Sequence, residues 1–163
     1  MIKSHYIISI ILFFPMLLIQ TTVIPLIAID TVIPDLILIL LVYYSITHGQ
    51  IYGSVLGFIY GFLIDIITGT TLGSSMIAKT MAGFTAGYFS SENKQDQYLI
   101  SYNFALIVLV ASLIDSTINA FFSSFNFTAN IFMVFFQHAL LPAIFSGAIA
   151  LMVMIFYPKR KLF

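Results

Sequence analysis

Long segments without a single charged residue are the feature of this sequence that most restricts its fold. No Asp, Glu, Lys or Arg occurs between Lys3 and Asp30, between Asp35 and Asp65, or between Asp115 and Lys159. Charged residues make up only 7% of the chain, against about 25% in soluble domains. Hydrophobic residues make up 61% of the chain, which is more than a soluble globule of this length can bury. The sequence therefore predicts helices that lie in lipid.

Turn and cap residues divide the chain into six apolar segments. At roughly 20 residues per spanning helix, the predicted helices are 6–27, 34–47, 51–67, 74–89, 98–122 and 131–157. Pro34 is predicted to be the first residue of the second helix, with Asp35 at the positive end of the helix dipole. This helix is short for a full span of the membrane. Three alternatives follow: it tilts little, its flanking residues extend it, or it is partly re-entrant. We expect an all-α integral membrane protein, a bundle of six transmembrane helices forming a single domain over 1–163.

The basic residues outside these segments predict the orientation. The first segment resembles a secretory signal, but the region around Ala28 lacks a small-x-small cleavage pattern, which favours an uncleaved membrane helix. With six spans, Lys3, Lys94 and Lys159–Lys161 all fall on one side of the membrane. Basic flanks are retained in the cytoplasm. We therefore expect a multi-pass membrane protein with both termini cytoplasmic.

Several functional classes lack support in the sequence. A formal net charge of zero offers no electrostatic footprint for nucleic acid, and the absence of cysteine excludes disulfides and thiolate chemistry. No nucleophile elbow or phosphate-binding loop is present, so we expect no catalytic residues and no enzyme activity. We expect no metal and no cofactor, because the histidines lack metal-ligand spacing; they are His5, His48 and His138.

Glycines recur at every fourth position in the third predicted helix and form a smooth stripe on one of its faces. Small residues at this spacing let a second helix approach closely. The stripe either receives a partner or packs within the chain, and a matching pair in the fourth helix favours contact between the third and fourth helices. The helix-packing residues are Gly49, Gly53, Gly57, Gly61, Gly83 and Gly87.

Ionisable residues inside the predicted spans are the other candidates for function, since charges in hydrocarbon need a partner. Lys79 and Asp115 lie at the same depth, roughly 10 to 12 Å from the outer helix ends, and we predict that they form an intramembrane ion pair. The pair is either an internal structural contact or part of a polar pocket open to the outer face. Asp30, Asp35 and Asp65 gather near that face, either as solvated helix-end acids or as a divalent-cation site.

A string of residues near the middle of the chain resembles the rod shape-determining protein MreD family. In that family a Pro-Asn or Pro-Asp pair opens the second helix, as Pro34-Asp35 does here, and a Gly-x-x-x-Asp-x-x-Ser-Gly-x-x-x-Gly pattern closes the third. Threonine stands where serine is usual and keeps the hydroxyl group. The matching residues are Gly61, Asp65, Thr68, Gly69 and Gly73.

The resemblance implies a non-enzymatic scaffold of the cell-elongation machinery, or elongasome, which maintains rod shape and supports side-wall peptidoglycan synthesis. The implied partner is MreC, with RodA, the elongation-specific class B penicillin-binding protein and MreB in the same complex. Membrane lipid is a further partner of the chain, and the implied location is the bacterial inner (cell) membrane. We expect Pro34, Asp35, Asp65, Gly69 and Gly73 to form the partner-binding surface or pocket on the outer side. Lys79 has no counterpart in the family pattern.

Two other functions remain open at this point. MreD-like proteins are similar in fold to the substrate-binding subunits of energy-coupling-factor transporters, so a solute-binding membrane subunit is the alternative. That function needs a deep pocket and a small-residue surface, which the stripe from Gly49 to Gly61 could supply. An intramembrane hydrolase is the third class, and it lacks a recognisable nucleophile and base.

Overall fold

A computed structural model describes residues 2–22, 34–69, 72–90, 102–124 and 140–156. Every element in these ranges is an α-helix, as the continuous apolar segments predict. We number them in chain order: α1 Ile2–Thr22, α2 Leu36–His48, α3 Gln50–Thr68, α4 Ser74–Gly87, α5 Tyr102–Ser124 and α6 Leu141–Phe156.

Helix α2 lies at the centre of the bundle. Its residues enter both hydrophobic clusters of the core, with Ile37 and Leu41 packing against α1 and α3 and Leu38 and Val42 packing against α4, α5 and α6. A helix that is apolar all round is stable where other helices or lipid enclose it. The composition of α2, with a single exposed aromatic side chain at Tyr43, follows from this position.

Helices α3 and α4 run antiparallel and share the closest contact in the bundle. Three glycines at successive turns of α3 face the backbone of α4. Gly53 lies against Gly83, Gly57 against Lys79 and Gly61 against Ser75, so the order along α4 is reversed. Helix α1 is attached to this pair by tyrosine side chains. The Tyr60 hydroxyl donates to the carbonyl oxygen of Ser9 at 2.7 Å.

The helices differ in whether they can cross a membrane by themselves. Gln50–Thr68 and Tyr102–Phe122 are long and apolar enough to do so. Helix α2 has 13 residues and α4 has 14, so at about 1.5 Å per residue each is roughly 20 Å long, against a hydrocarbon core of about 30 Å. The short second helix expected from the sequence is therefore observed, whereas a full set of six spanning helices is not shown.

Helix boundaries differ from the predicted ones in specific places. Helix α2 begins at Leu36 with Asp35 as its N-cap, so the prediction that Pro34 is the first helical residue is wrong. The carboxylate of Asp35 can accept a hydrogen bond from a free N–H group of the first helical turn, whereas proline has no side-chain acceptor. Asp35 therefore caps the helix, and Pro34 lies before it. The predicted segments 23–27, 98–101 and 131–139 lie outside the described residues.

Candidate functional site

The glycine stripe of α3 lies against the backbone of α4. A Cβ atom added to Gly53 would lie 2.5 Å from the carbonyl oxygen of Gly83, and one added to Gly57 would collide with the carbonyl of Lys79. Gly87 meets Gln50 in the same way at the other end of the crossing. The stripe is therefore occupied within the chain and leaves no groove for a partner along these turns. Gly49 instead links α2 to α3, in a conformation with φ of 94°.

The turn between α3 and α4 is organised by Asp65. This side chain is only 1% exposed, and its carboxylate accepts hydrogen bonds from the N–H groups of Gly73 at 2.8 Å and Ser75 at 3.3 Å. Those groups belong to the N-terminal end of α4, where a helix leaves its first N–H groups unsatisfied and carries a partial positive charge. Asp65 thus caps α4 from the neighbouring helix.

Two glycines complete this turn because both have positive φ. Gly69 ends α3 in the left-handed region with φ of 66°, and its N–H group donates to the Asp65 carbonyl oxygen at 3.1 Å. Gly73 precedes α4 with φ of 104°. Residues with a Cβ rarely adopt such φ values. The spacing of the family pattern thereby has a local physical basis. Gly61 allows close packing, Asp65 caps α4, and Gly69 and Gly73 occupy the two left-handed turn positions.

A mixed-charge cluster lies one helical turn further along α4. The ammonium group of Lys79 forms an ion pair with the Asp35 carboxylate and lies 3.4 Å from the nearer carboxylate oxygen of Asp115. The side chains of Lys79 and Asp115 are 3% and 8% exposed, whereas Asp35 is 21% exposed. The structure therefore brings the predicted partners Lys79 and Asp115 together, but Asp35 is the closer acid.

Further hydrogen bonds tie this cluster to the surrounding helices. Asp35 caps α2 by accepting from the N–H group of Leu38 at 2.9 Å, and its own N–H group donates to the Ser146 hydroxyl of α6 at 3.1 Å. The Asn119 side chain of α5 donates to Asp115 at 3.3 Å. One cluster thus connects α2, α4, α5 and α6.

The residues of the expected outer surface accordingly lie in two separate places. Pro34 and Asp65 are fully buried, so neither is a solvated helix-end residue, and Asp35 and Asp65 are both engaged in contacts. Asp65, Gly69 and Gly73 form the α3–α4 turn, while Asp35 lies against Lys79. Asp30 lies outside the described residues. Among the residues that are described, no three His, Asp or Glu side chains converge as metal ligands.

The sequence does not predict the contact between Asp35 and Lys79, because it gives the depth of a residue in the membrane only as a distance from the end of its own helix. Asp35 precedes α2 and has no depth by that measure, yet the interior position of α2 carries its N-terminus into the bundle. His48 lies at the opposite end of α2, stacked on the ring of Tyr52 at 4.4 Å. His5 and His138 are not among the residues whose side chains are described.

Comparison of the chain with models of known protein families shows which family it belongs to. The family model described as rod shape-determining protein MreD matches residues 1–160, essentially the whole chain. The chain belongs to the MreD family. The residues that organise the α3–α4 turn are the ones that carry the family pattern, so the motif of this MreD family member is explained by capping and turn geometry.

Membership places the chain among proteins that determine rod shape. This is a family of structural, shape-determining proteins rather than one known for catalysis. No curated protein and no solved structure gives a match. The expected similarity to energy-coupling-factor transporter subunits, and the solute-binding alternative that depends on it, are therefore without support.

Proposed function

We propose that this MreD family member is a non-enzymatic scaffold of the elongasome that binds MreC within and beside the inner membrane. In this proposal the complex also contains RodA, the elongation-specific class B penicillin-binding protein and MreB, and supports side-wall peptidoglycan synthesis. The chain spans the membrane several times with both termini in the cytoplasm. No cofactor, metal or nucleic acid takes part.

The arrangement of helices supports a multi-pass protein. Apolar side chains cover the outside of the bundle, including Ile51, Phe58 and Leu106, each more than half exposed. Such a surface is stable in lipid and unstable in water. The short helix α2 packs against α1, α3, α4, α5 and α6, whereas α4 exposes an apolar face at Ile77, Met81 and Phe84 that suits contact with lipid.

One observation carries the choice of binding surface: the capped α3–α4 turn exposes apolar side chains at the end of the bundle opposite the predicted cytoplasmic side. Leu72 is 74% exposed, and Ile66 and Ile67 are about half exposed. Asp65 itself is buried, so it shapes this surface without touching a partner. A turn fixed by capping and by Gly69 and Gly73 presents Leu72 at little entropic cost on binding.

Site-specific crosslinking tests this placement. A photo-reactive residue at Leu72 is expected to capture MreC in cells, because the side chain projects from the rigid turn. Phe121 of α5 is the matched control, since it is an exposed apolar residue, 62% accessible, on a different helix. Capture of MreC from Phe121 but not from Leu72 would move the interface to α5 and contradict the proposal.

Depletion tests the function itself. Rod-shaped cells that lose this protein are expected to become round, and a plasmid copy is expected to restore rods. A copy with Asp65→Ala is expected to restore them poorly, because the α3–α4 turn loses its cap. Cells that keep their rod shape after complete depletion would rule out a shape-determining role.

A further inference from the structure

The cluster around Lys79 contains more negative than positive charge. Two carboxylates, Asp35 and Asp115, lie within ion-pair distance of one ammonium group. No other Lys or Arg occurs in α2, α4, α5 or α6, the helices that build the cluster. If both acids are ionised, one negative charge of the cluster is left without a counter-charge among the residues that the structure describes.

An uncompensated charge of this kind does not persist in a low-dielectric interior. Burying an unpaired carboxylate is so unfavourable that the group takes up a compensating charge instead. The cluster therefore requires one additional positive charge, which can reach it from outside as a proton or as a cation.

The two acids are not equivalent as acceptors of that charge. Asp35 contacts Lys79 most closely, accepts from the N–H group of Leu38 at the N-terminus of α2, and is the most exposed member of the cluster. Its carboxylate is therefore better satisfied by its surroundings than that of Asp115. Asp115 is more buried, lies 3.4 and 3.5 Å from Lys79, and accepts from Asn119 only at 3.3 Å. These are long contacts for a charge-assisted hydrogen bond.

We propose that Asp115 is a proton-binding site. At neutral pH one proton from water binds a carboxylate oxygen of Asp115 and forms a neutral carboxyl group, while Lys79 and Asp35 remain a charged pair. The cluster then has no net charge. Release of the proton restores the second carboxylate, which draws Lys79 toward α5, so the strength of the contact between α4 and α5 depends on pH.

No other titratable group of the surrounding helices competes for this role. Helix α6 contains no titratable residue, and Lys79 is the single one in α4. Besides Asp115, α5 contains Tyr102, more than three helical turns away. Helix α2 contributes Asp35 at its start, whereas Tyr43, Tyr44 and His48 lie in its second half.

Infrared difference spectroscopy of the full-length protein in lipid nanodiscs tests the proposal directly. The spectrum taken between neutral and alkaline pH is expected to contain the carbonyl stretch of one protonated carboxyl group per chain. This signal is expected to disappear in Asp115→Asn. It is expected to persist in Asp65→Asn, a matched control in which another buried aspartate, the one that caps α4, is replaced.

The Asp35→Asn variant tests whether Asp115 binds its proton because of the excess negative charge or because it is buried. Without Asp35 the cluster contains one cation and one anion, so Asp115 is expected to lose its proton at neutral pH although the residue is still present. A signal that persists in Asp35→Asn, that persists in Asp115→Asn, or that is absent from the wild-type protein would overturn the proposal. A wild-type signal that vanishes on addition of sodium at constant pH would also overturn it, because a metal cation would then be the preferred counter-charge.

Discussion

The side chain of Asp65 illustrates how one buried residue can hold the backbone of a turn. Replacement by alanine removes the acceptor for the N–H groups of Gly73 and Ser75, which are then unsatisfied at a buried helix end. Loss of an N-cap destabilises by about 0.5–2 kcal/mol, and unsatisfied buried donors add to this. We expect Asp65→Ala to lower the free energy of unfolding by about 2 kcal/mol in mixed detergent micelles.

Asp65→Asn serves as the control for that prediction, since the amide keeps one oxygen acceptor for the same N–H groups. We expect it to retain more than half of the stability that Asp65→Ala loses. Equal losses in the two variants would show that the charge of Asp65, rather than its role as an acceptor, maintains the turn.

A double-mutant cycle at Lys79 measures which acid is its true partner. We expect the coupling free energy between Lys79→Met and Asp35→Asn to exceed that between Lys79→Met and Asp115→Asn, within the range of about 0.5–3 kcal/mol seen for contacting residues. The reason is that the carboxylate of Asp35 is closer to Lys79 than that of Asp115 is. A larger coupling with Asp115 at neutral pH would contradict this order.

Close packing between α3 and α4 depends on what each glycine meets. A methyl group at Gly57 would collide with the Lys79 carbonyl, and backbone atoms cannot move aside as a flexible side chain can. Overpacking of this kind destabilises by about 1–3 kcal/mol, so we expect Gly57→Ala to unfold at a lower denaturant concentration than the wild-type protein.

Gly147 of α6 provides the matched control. A Cβ added there would lie 3.4 Å from side-chain atoms of Leu109, which is an ordinary contact. Alanine favours a helix interior by up to about 1 kcal/mol over glycine, so Gly147→Ala is expected to be neutral or stabilising. Equal destabilisation by the two variants would show that the α3–α4 crossing is not the tighter contact.

Patterns within a single helix were predictable, whereas contacts between helix ends were not. The four-residue spacing of Gly53, Gly57 and Gly61 predicts a close approach because periodicity alone puts the three on one face. The capping of α4 by Asp65 and the pairing of Lys79 with Asp35 join positions 8 to 44 residues apart. They depend on how α2 and the α3–α4 turn are placed in three dimensions, which helical periodicity does not encode.

The chain as a whole contains no cysteine, so single introduced cysteines report its topology without background labelling. We expect Leu72→Cys to react with an impermeant maleimide added outside intact spheroplasts, because Leu72 is exposed on the turn that ends α3. Asn93→Cys, in the hydrophilic stretch that contains Lys94, is expected to react only after lysis, since basic segments are retained in the cytoplasm. The opposite result at both positions would invert the orientation and place the Leu72 surface in the cytoplasm. It could not then be the periplasmic contact for MreC, even if the helix bundle and its charge cluster are correct.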